Sequence, residues 1–501
     1  MQKLNALKDR LNDVHNLRTA MGLLGWDQQT CMPPGGAGTR AAQMGTLSKL
    51  AHELLVNAET GRLLAEAEGA GLAYDSDEAA LLRAARRDFD LEARLPTELV
   101  VETARTTALA FEEWHQARAA SEYGRFAPWL GRIVGLARRR AEALGYPEQP
   151  YDALLDEFEP GMRTSRVAAV FDELKAALVP MVQAVAGQAD RVDDAVLRRD
   201  YDEGRQEEFC REVAARLGYD FARGRLDRSA HPFSQGMGRG DVRITTRYEH
   251  NWLPGALFGT IHETGHALYE QGIAPALDDT LLGTGASLGI HESQSRLWEN
   301  LVGRSRGFWS FFFPRLEACF PQALAGVDAE AFYRAVNRCG PSLVRVEADE
   351  LTYNLHVVIR FEMELGLLSG EIDIADAPAA WNERYQAYLG ITPPDDRQGI
   401  LQDVHWSGGS IGYFPTYTLG NLMSVQLFDR AVAERPDIPD AIAAGEFDGL
   451  LDWLRENVHR HGRKVLPEEL LRRATGSPLQ AGPYLAYLRR KYGELYALPR
   501  W

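Results

Sequence analysis

Two histidines and a glutamate stand close together in the segment HETGH at positions 262–266, which matches the pattern H-E-x-x-H. On a helix, residues four apart lie roughly 40° apart around the axis, so the two imidazoles project from one face. The motif therefore predicts that His262 and His266 bind one zinc ion. Glu263 lies on the adjoining face, where its carboxylate is predicted to act as the general base toward water.

A catalytic zinc ion commonly has three protein ligands and an open position, so a third donor is expected elsewhere in the chain. Glu292, in the segment GIHESQSR at positions 289–296, is the predicted third ligand. His291 is the competing donor, but adjacent residues on a helix point about 100° apart, so one ion is expected to take only one of them. The spacing between His266 and Glu292 leaves room for a turn and a second, antiparallel helix.

The elements that position these residues are predicted to be helices. Pro254 suits a first helical turn and Gly272 a helix end, so they flank a helix that carries the HETGH segment. Most of the chain has Leu, Ala, Glu and Arg at periods of three and four, so the predicted fold class is mainly α. The clearest exception is the alternating segment 241–248, which predicts a strand or a small β-hairpin.

Composition and charge argue against several classes of partner. The formal net charge is -16, from 55 basic and 71 acidic residues, so the chain is expected to repel nucleic acid. The most apolar segment, 308–313, is too short to span a membrane, so no membrane partner is expected. The N-terminal apolar residues stand at helical spacing, at Leu4, Leu7, Leu11 and Val14. They do not form the unbroken run of a signal peptide, which predicts a cytoplasmic location.

At 501 residues the chain is long enough for one large helical body with two lobes or for two or three packed domains. It has no internal repeat, and no long linker rich in Gly, Ser or Pro separates independent domains. Residues 1–501 are therefore predicted to form a single catalytic domain with two lobes flanking the active site.

Seven short segments form a wider pattern along the chain. They are GWDQQT at 25–30, MPPG at 32–35, HPF at 231–233, DVRITT at 241–246, HETGH at 262–266, HESQSR at 291–296 and QDVHW at 402–406. With these segments in this order, the chain resembles the Taq-type metallocarboxypeptidases, also called the thermostable carboxypeptidase family, over almost its whole length.

The resemblance implies a large helical two-lobed body with a deep central groove lined by a small β-hairpin or sheet, as in other helical zinc peptidases. It also implies a homodimer. The implied activity is hydrolysis of the C-terminal peptide bond of peptides with a free C-terminus, with broad side-chain tolerance and poor cleavage of terminal proline. The implied cofactor is Zn2+, with Co2+ as an alternative.

A carboxypeptidase must hold a terminal carboxylate, which the paired donors of an arginine side chain can bind in a bidentate way. Arg345, in a segment similar to the family's Arg-Val-Glu-Ala-Asp-Glu, is the predicted substrate-binding arginine. The alternative is an internal ion pair of Arg345 with Glu347 or Asp349.

Hydrolysis develops negative charge on the carbonyl oxygen of the scissile bond, which a phenol or an imidazole can stabilise. Tyr417 is the predicted donor. Tyr413 is its alternative and a candidate for substrate binding, and aromatic packing is the structural interpretation of both residues. His405, which lies near Asp403 in the sequence, is predicted to donate to the same oxygen or line the pocket, or else to be a structural histidine.

His231 is predicted either to contact substrate or to fix the turn before the strand, because Pro232 restricts the residue that precedes it. The strand at 241–246 is predicted either to bind an extended peptide by edge addition or to belong to a purely structural hairpin.

The metal motif predicts hydrolysis but not the length of the product that is removed. An endopeptidase or a dipeptidase on the same scaffold is therefore the first alternative to a carboxypeptidase. A non-enzymatic helical binding protein is the second alternative, and the metal content of the purified protein distinguishes it.

Overall fold

The structure is a computed structural model that describes residues 2–498. Across these residues the fold is mainly α-helical with one small sheet, which confirms the predicted fold class. The first ten helices are α1 Gln2–Thr30, α2 Ala37–Leu55, α3 Ala58–Glu68, α4 Asp77–Ala93, α5 Thr97–Ala120, α6 Tyr123–Leu144, α7 Pro150–Asp156, α8 Thr164–Ala186, α9 Glu203–Arg216 and α10 Leu253–Gly272. The next ten are α11 Leu288–Arg296, α12 Arg306–Cys319, α13 Ala329–Val336, α14 Tyr353–Ser369, α15 Ala377–Leu389, α16 Pro415–Glu434, α17 Ile438–Ala444, α18 Asp448–Asn457, α19 Pro467–Thr475 and α20 Gly482–Leu495. The strands are β1 Leu226–Arg228, β2 Ser234–Gly236 and β3 Val242–Thr246.

The chain folds into two compact units, each made of three separate stretches. The first unit comprises residues 2–93, 194–336 and 423–478, and the second comprises residues 94–193, 337–422 and 479–498. The single catalytic domain expected from the sequence stays a prediction. Within residues 2–498, no helix has both the length and the apolar character needed to cross a membrane.

Helix α10 begins and ends where the sequence predicts. Pro254 lies in its first turn, where the missing N–H costs no hydrogen bond, and Gly272 is its last residue. Glu263 is buried, and the side chains of His262 and His266 are only 19% and 17% exposed. The HETGH segment is therefore helical, and its two histidines lie one turn apart on the same face.

Helix α11 begins at Leu288, where the hydroxyl of Ser287 accepts a hydrogen bond from the backbone N–H of Ile290 at 3.0 Å. At its C-terminal end, α11 passes directly into a π-helical turn over Leu297–Val302. A π-turn has more residues per turn than an α-helix, so it rotates the side chains within and after it.

Helices α10 and α11 approach each other closely at Gly265. A Cβ atom at this position would lie 2.6 Å from Cα of Ser295 and 2.7 Å from the carbonyl oxygen of Gln294. Both are backbone atoms of α11, so they cannot move aside as the end of a flexible side chain can. A residue without a side chain is therefore required for this approach, although glycine costs about 1 kcal/mol relative to alanine inside a helix.

The N-terminal apolar residues pack against the connection between α10 and α11. Leu4, Leu7, Leu11 and Val14 lie in one buried cluster, as their helical spacing predicts. The same cluster includes four residues from the connection, namely Ile273, Leu277, Leu281 and Leu282. Burial of each such side chain stabilises the fold by about 1.5–3 kcal/mol, so α1 helps to hold the ends of both helices in place.

The sheet has the strand order β1-β3-β2, with β1 parallel and β2 antiparallel to β3. The predicted strand at 241–246 is β3, and its Thr246 hydroxyl donates a hydrogen bond to the carbonyl of Ala256 in α10 at 3.1 Å. The prediction that this strand could take up a peptide along its edge is wrong. Both edges of β3 are already hydrogen-bonded to neighbouring strands, so it has no open edge.

Replacement of Gly265 by alanine is expected to lower the free energy of unfolding by about 1–3 kcal/mol, because the new Cβ overpacks the backbone of α11. Urea unfolding followed by circular dichroism measures the change. Gly45→Ala in α2 is the matched control, since nothing lies within 4 Å of the Cβ that it would gain. This control is expected to be neutral or to stabilise by up to about 1 kcal/mol. Equal effects of the two substitutions would contradict the close approach.

Candidate metal centre

The side chains of His262, His266 and Glu292 meet between α10 and α11, with one donor atom from each within 4.8 Å of the others. Nε2 of His262 lies 3.7 Å, and Nε2 of His266 3.6 Å, from Oε2 of Glu292. Two ligands of a tetrahedral zinc ion, each about 2.0–2.2 Å from it, lie roughly 3.4 Å apart. The chemistry and spacing of these donors therefore fit a divalent metal ion. Their role as ligands stays a prediction.

Charged side chains form hydrogen bonds to two of these three residues, His262 and Glu292. Nδ1 of His262 lies 3.0 Å from Oε2 of Glu299, which belongs to the π-turn. Oε1 of Glu292 accepts a hydrogen bond from Nε of Arg296 at 2.7 Å. Glu299 accepts further hydrogen bonds from Arg296 at 3.2 Å and from Arg304 at 3.3 Å. One oxygen of Glu292 is thus tied to an arginine, while the other faces the two imidazoles.

The competing donor His291 lies behind His266 rather than among the three converging side chains. Its Nδ1 is 2.9 Å from Nδ1 of His266, which is the ring nitrogen opposite the one that faces Glu292. Its Nε2 is 2.7 Å from Oε1 of Glu270. The geometry therefore groups Glu292, and not His291, with the two histidines of the HETGH segment.

Burial and neighbouring charges set the protonation of these residues. Burial opposes ionisation of Glu292, but Arg296 and the two imidazoles hold its pKa well below the usual range. Burial lowers the pKa of His266 to about 4 and raises that of Glu263 to about 7. For His262, burial is outweighed by neighbouring carboxylates, and its pKa is raised. An ionised Glu292 and a neutral His266 are the forms that bind a metal ion.

Arg345, in the second unit, forms a buried ion pair with Asp403 rather than with Glu347 or Asp349. Its Nη2 and Nε lie 2.7 and 3.1 Å from Oδ1 of Asp403, and its Nη1 donates to the hydroxyl of Tyr353 at 2.8 Å. Arg345 is only 4% exposed. This geometry supports an internal ion pair, with a partner that the sequence did not suggest. Substrate binding by Arg345 stays a prediction.

Asp403 is the centre of this buried cluster. Its other oxygen, Oδ2, accepts a hydrogen bond from Arg360 at 2.6 Å. Burial opposes ionisation of Asp403, but the two arginines outweigh it and hold the pKa of its carboxyl far below the usual range. The cluster is therefore a carboxylate shared by two guanidinium groups.

His405, Tyr413 and Tyr417 lie together in the second unit. Nε2 of His405 is 3.3 Å from the hydroxyl of Tyr417, and the ring centroids of Tyr413 and Tyr417 are 5.3 Å apart. Burial lowers the pKa of His405 to about 4, so its imidazole is neutral at physiological pH. The structure thus brings three predicted residues into contact. A catalytic role and a role in aromatic packing are both compatible with these contacts.

His231 is exposed in the loop between β1 and β2 of the first unit. Its carbonyl oxygen accepts a hydrogen bond from the hydroxyl of Ser229 at 2.6 Å. The next residue, Pro232, lies against α10, because a Cβ at Gly259 would be 3.4 Å from Cγ of Pro232. These contacts support a role in the turn, and contact of His231 with substrate stays a prediction.

Four charged residues near the predicted site residues were not identified from the sequence, namely Glu270, Arg296, Glu299 and Arg360. The available signal was their setting, since each lies in a helical segment with at least one apolar or aromatic neighbour in the sequence. A buried charge needs a partner of opposite charge or a hydrogen bond, so such residues indicate an internal network. The spacing alone did not show which partners they have.

Comparison with known proteins gives a consistent result over nearly the whole chain. The profile of the carboxypeptidase Taq (M32) metallopeptidase family matches residues 6–492. Thermostable carboxypeptidase 1 of Thermus thermophilus is 45% identical over 485 residues, which is 95% of each chain. Carboxypeptidase 1 of Bacillus subtilis is 38% identical over 98% of each chain. The crystal structure of an M32 carboxypeptidase from Deinococcus radiodurans R1 has a TM-score of 0.96 at 44% identity, covering 99% of this chain and 100% of that one.

Replacement of Asp403 by asparagine is expected to lower the free energy of unfolding by about 3–5 kcal/mol, because Arg345 and Arg360 would lose their buried counter-charge. Urea unfolding at neutral pH measures the change. Glu102→Gln is the control, since Glu102 pairs with Arg139 while both side chains are more than half exposed. This control is expected to change stability by at most about 1 kcal/mol. An Asp403→Asn protein as stable as the control would refute this account of the cluster.

Proposed function

The chain belongs to the carboxypeptidase Taq (M32) metallopeptidase family, and from this premise we propose that it hydrolyses the C-terminal peptide bond of peptides. The proposed substrates have a free C-terminus and varied terminal side chains, and terminal proline is removed poorly. The observation that carries the hydrolytic part of the proposal is the convergence of two imidazoles and one carboxylate beside Glu263. Membership of the carboxypeptidase family supports action at the C-terminus. Family membership makes the chain a metallopeptidase, so a metal ion is its expected cofactor.

The proposed metal is Zn2+, with Co2+ as an alternative, held by His262, His266 and Glu292. When bound, such a cation supplies Lewis acidity toward water and toward the scissile carbonyl. Two features of the residues support this assignment. Three protein donors are typical of a catalytic zinc site, whereas a structural site has four. The donor distances of 3.6 and 3.7 Å to Glu292 also suit a shared ion.

The carboxylate of Glu263 takes a proton from the attacking water and later gives it to the leaving amine. A group whose pKa lies near the working pH is efficient in both directions. Burial raises the pKa of the Glu263 carboxyl to about 7, which supports this double role. Its place next to His262 in α10 puts it beside the proposed ligands without making it one of them.

We propose further that Tyr417 and His405 donate hydrogen bonds to the negative charge that develops on the carbonyl oxygen. Their contact at 3.3 Å supports a shared role, because it brings two potential hydrogen-bond donors together. Tyr413 and His231 are proposed substrate contacts. Arg345 has the least support for binding substrate, because its guanidinium lies in a buried ion pair.

The proposal includes a homodimer and a cytoplasmic location. The homodimer rests on the resemblance of the chain to its family. The cytoplasmic location rests on the N-terminal apolar residues, whose spacing is that of a helix.

Replacement of Glu263 by glutamine is expected to lower kcat by about 10²–10⁴-fold, because glutamine keeps the shape but cannot take up a proton. The metal content is expected to stay at the wild-type level. Turnover of a free peptide and elemental analysis of the same sample measure the two quantities. Glu53→Gln is the control, because that side chain is 57% exposed. A fully active Glu263→Gln enzyme would remove Glu263 from the mechanism.

A peptide with a free C-terminus is expected to lose single residues in sequence, whereas its amidated form is expected to stay intact, because a carboxypeptidase must bind the terminal carboxylate. Mass spectrometry of the products over time measures the outcome. A chelator is expected to stop release, and added Zn2+ or Co2+ to restore it. Internal cuts in the amidated peptide would indicate an endopeptidase. Hydrolysis of dipeptides but not of longer peptides would indicate a dipeptidase, and absence of both metal and reconstituted activity would indicate a binding protein.

A further inference from the structure

A chain of hydrogen bonds leads away from His266 on the side opposite Glu292. Nδ1 of His266 lies 2.9 Å from Nδ1 of His291, and Nε2 of His291 lies 2.7 Å from Oε1 of Glu270. The other imidazole has a different support, because Nδ1 of His262 contacts a carboxylate directly. The two histidines of the HETGH segment therefore differ in what holds them, a carboxylate for one and a second imidazole for the other.

These contacts allow two opposite arrangements of protons when both imidazoles are neutral, since each ring then has one donor nitrogen and one acceptor nitrogen. If His266 binds a metal through Nε2, its proton lies on Nδ1 and is donated to His291. Nδ1 of His291 must then accept, so its proton lies on Nε2 and is donated to Glu270. The reverse arrangement would put the proton of His266 on the nitrogen that faces Glu292, where no metal could then bind.

The ring of His291 packs against Tyr269 and Gly285. Its centroid lies 5.0 Å from the ring of Tyr269 in α10, whose hydroxyl accepts a hydrogen bond from the backbone N–H of Ala286 at 3.1 Å. A Cβ at Gly285 would lie only 2.5 Å from Cδ2 of His291 and 2.9 Å from Cε1 of Tyr269, so the backbone at Gly285 comes close to both rings. Neighbouring atoms thus restrict rotation of the ring away from His266.

We propose that His291 and Glu270 are positioning residues, which hold His266 in the tautomer and orientation that leave its Nε2 available to a metal ion. This inference rests on the proposed function, because it requires a metal at His266. His291 acts as a hydrogen-bond acceptor, and Glu270 fixes which nitrogen of His291 accepts. Loss of such an outer partner of a ligating histidine typically weakens metal binding by 10–100-fold.

The test compares His291→Leu with His291→Asn in the full-length enzyme loaded with Co2+. The rate of Co2+ transfer to excess EDTA and the visible absorption spectrum of bound Co2+ are the measurements. His291→Leu is expected to release Co2+ about 10–100-fold faster than the wild type and to shift the spectrum. His291→Asn is expected to recover most of this loss, because its Oδ1 replaces Nδ1 as the acceptor. His250→Leu, at an exposed histidine, is expected to behave as the wild type.

Equal release from His291→Asn and His291→Leu would overturn the inference, because the loss would then come from packing and not from the missing acceptor. Wild-type release from both variants would overturn it as well. A wild-type enzyme that binds no Co2+ would instead refute the proposed function. If His291→Leu does not fold, Glu270→Gln and Glu270→Leu take its place. Release of Co2+ is then expected to be slowest in the wild type and fastest in Glu270→Leu. Three equal rates would refute the inference.

Discussion

Backbone contact between α10 and α11 at Gly265 is the constraint on which the candidate metal centre depends. Two of its donors come from α10 and one from α11, and all three must converge to within a few ångströms if they share an ion. Helices that meet through ordinary side chains stand about 8–10 Å apart, axis to axis. The missing side chain at Gly265 removes the obstacle beside Ser295. The cluster around α1 then holds the connection between the two helices.

Ion pairs between charged side chains fix the orientation of the residues that the helix contact brings together. An uncompensated charge in this buried region would cost several kcal/mol, so Glu292 and Glu299 require the guanidinium groups of Arg296 and Arg304. The π-turn belongs to this arrangement, because it contains the carboxylate that contacts His262. Each proposed ligand thus has its orientation set by a hydrogen bond on its other side, which favours a site organised before the metal arrives.

The second unit also contains a buried cluster of paired charges, but here one carboxylate is shared by two arginines. One carboxylate, Asp403, compensates both Arg345 and Arg360, and the neutral His405 contacts Tyr417 next to this cluster. An arginine in a sequence motif can face a substrate or an internal carboxylate, and its spacing is the same in both cases. The burial and bond directions of Arg345 separate these alternatives, and they support the internal pair.

The sequence by itself determined the helical class, the ends of α10 and the common face of His262 and His266, because helix periodicity and the properties of Pro254 and Gly272 are local. It also pointed to Glu292, since that residue opens the next predicted helix. It did not reveal the π-turn, the partners of Arg345 or the central position of β3. The last two depend on contacts between separate segments of the chain. Only the tertiary structure decided that His291 faces the back of His266, because that contact exists only where α10 and α11 pack together.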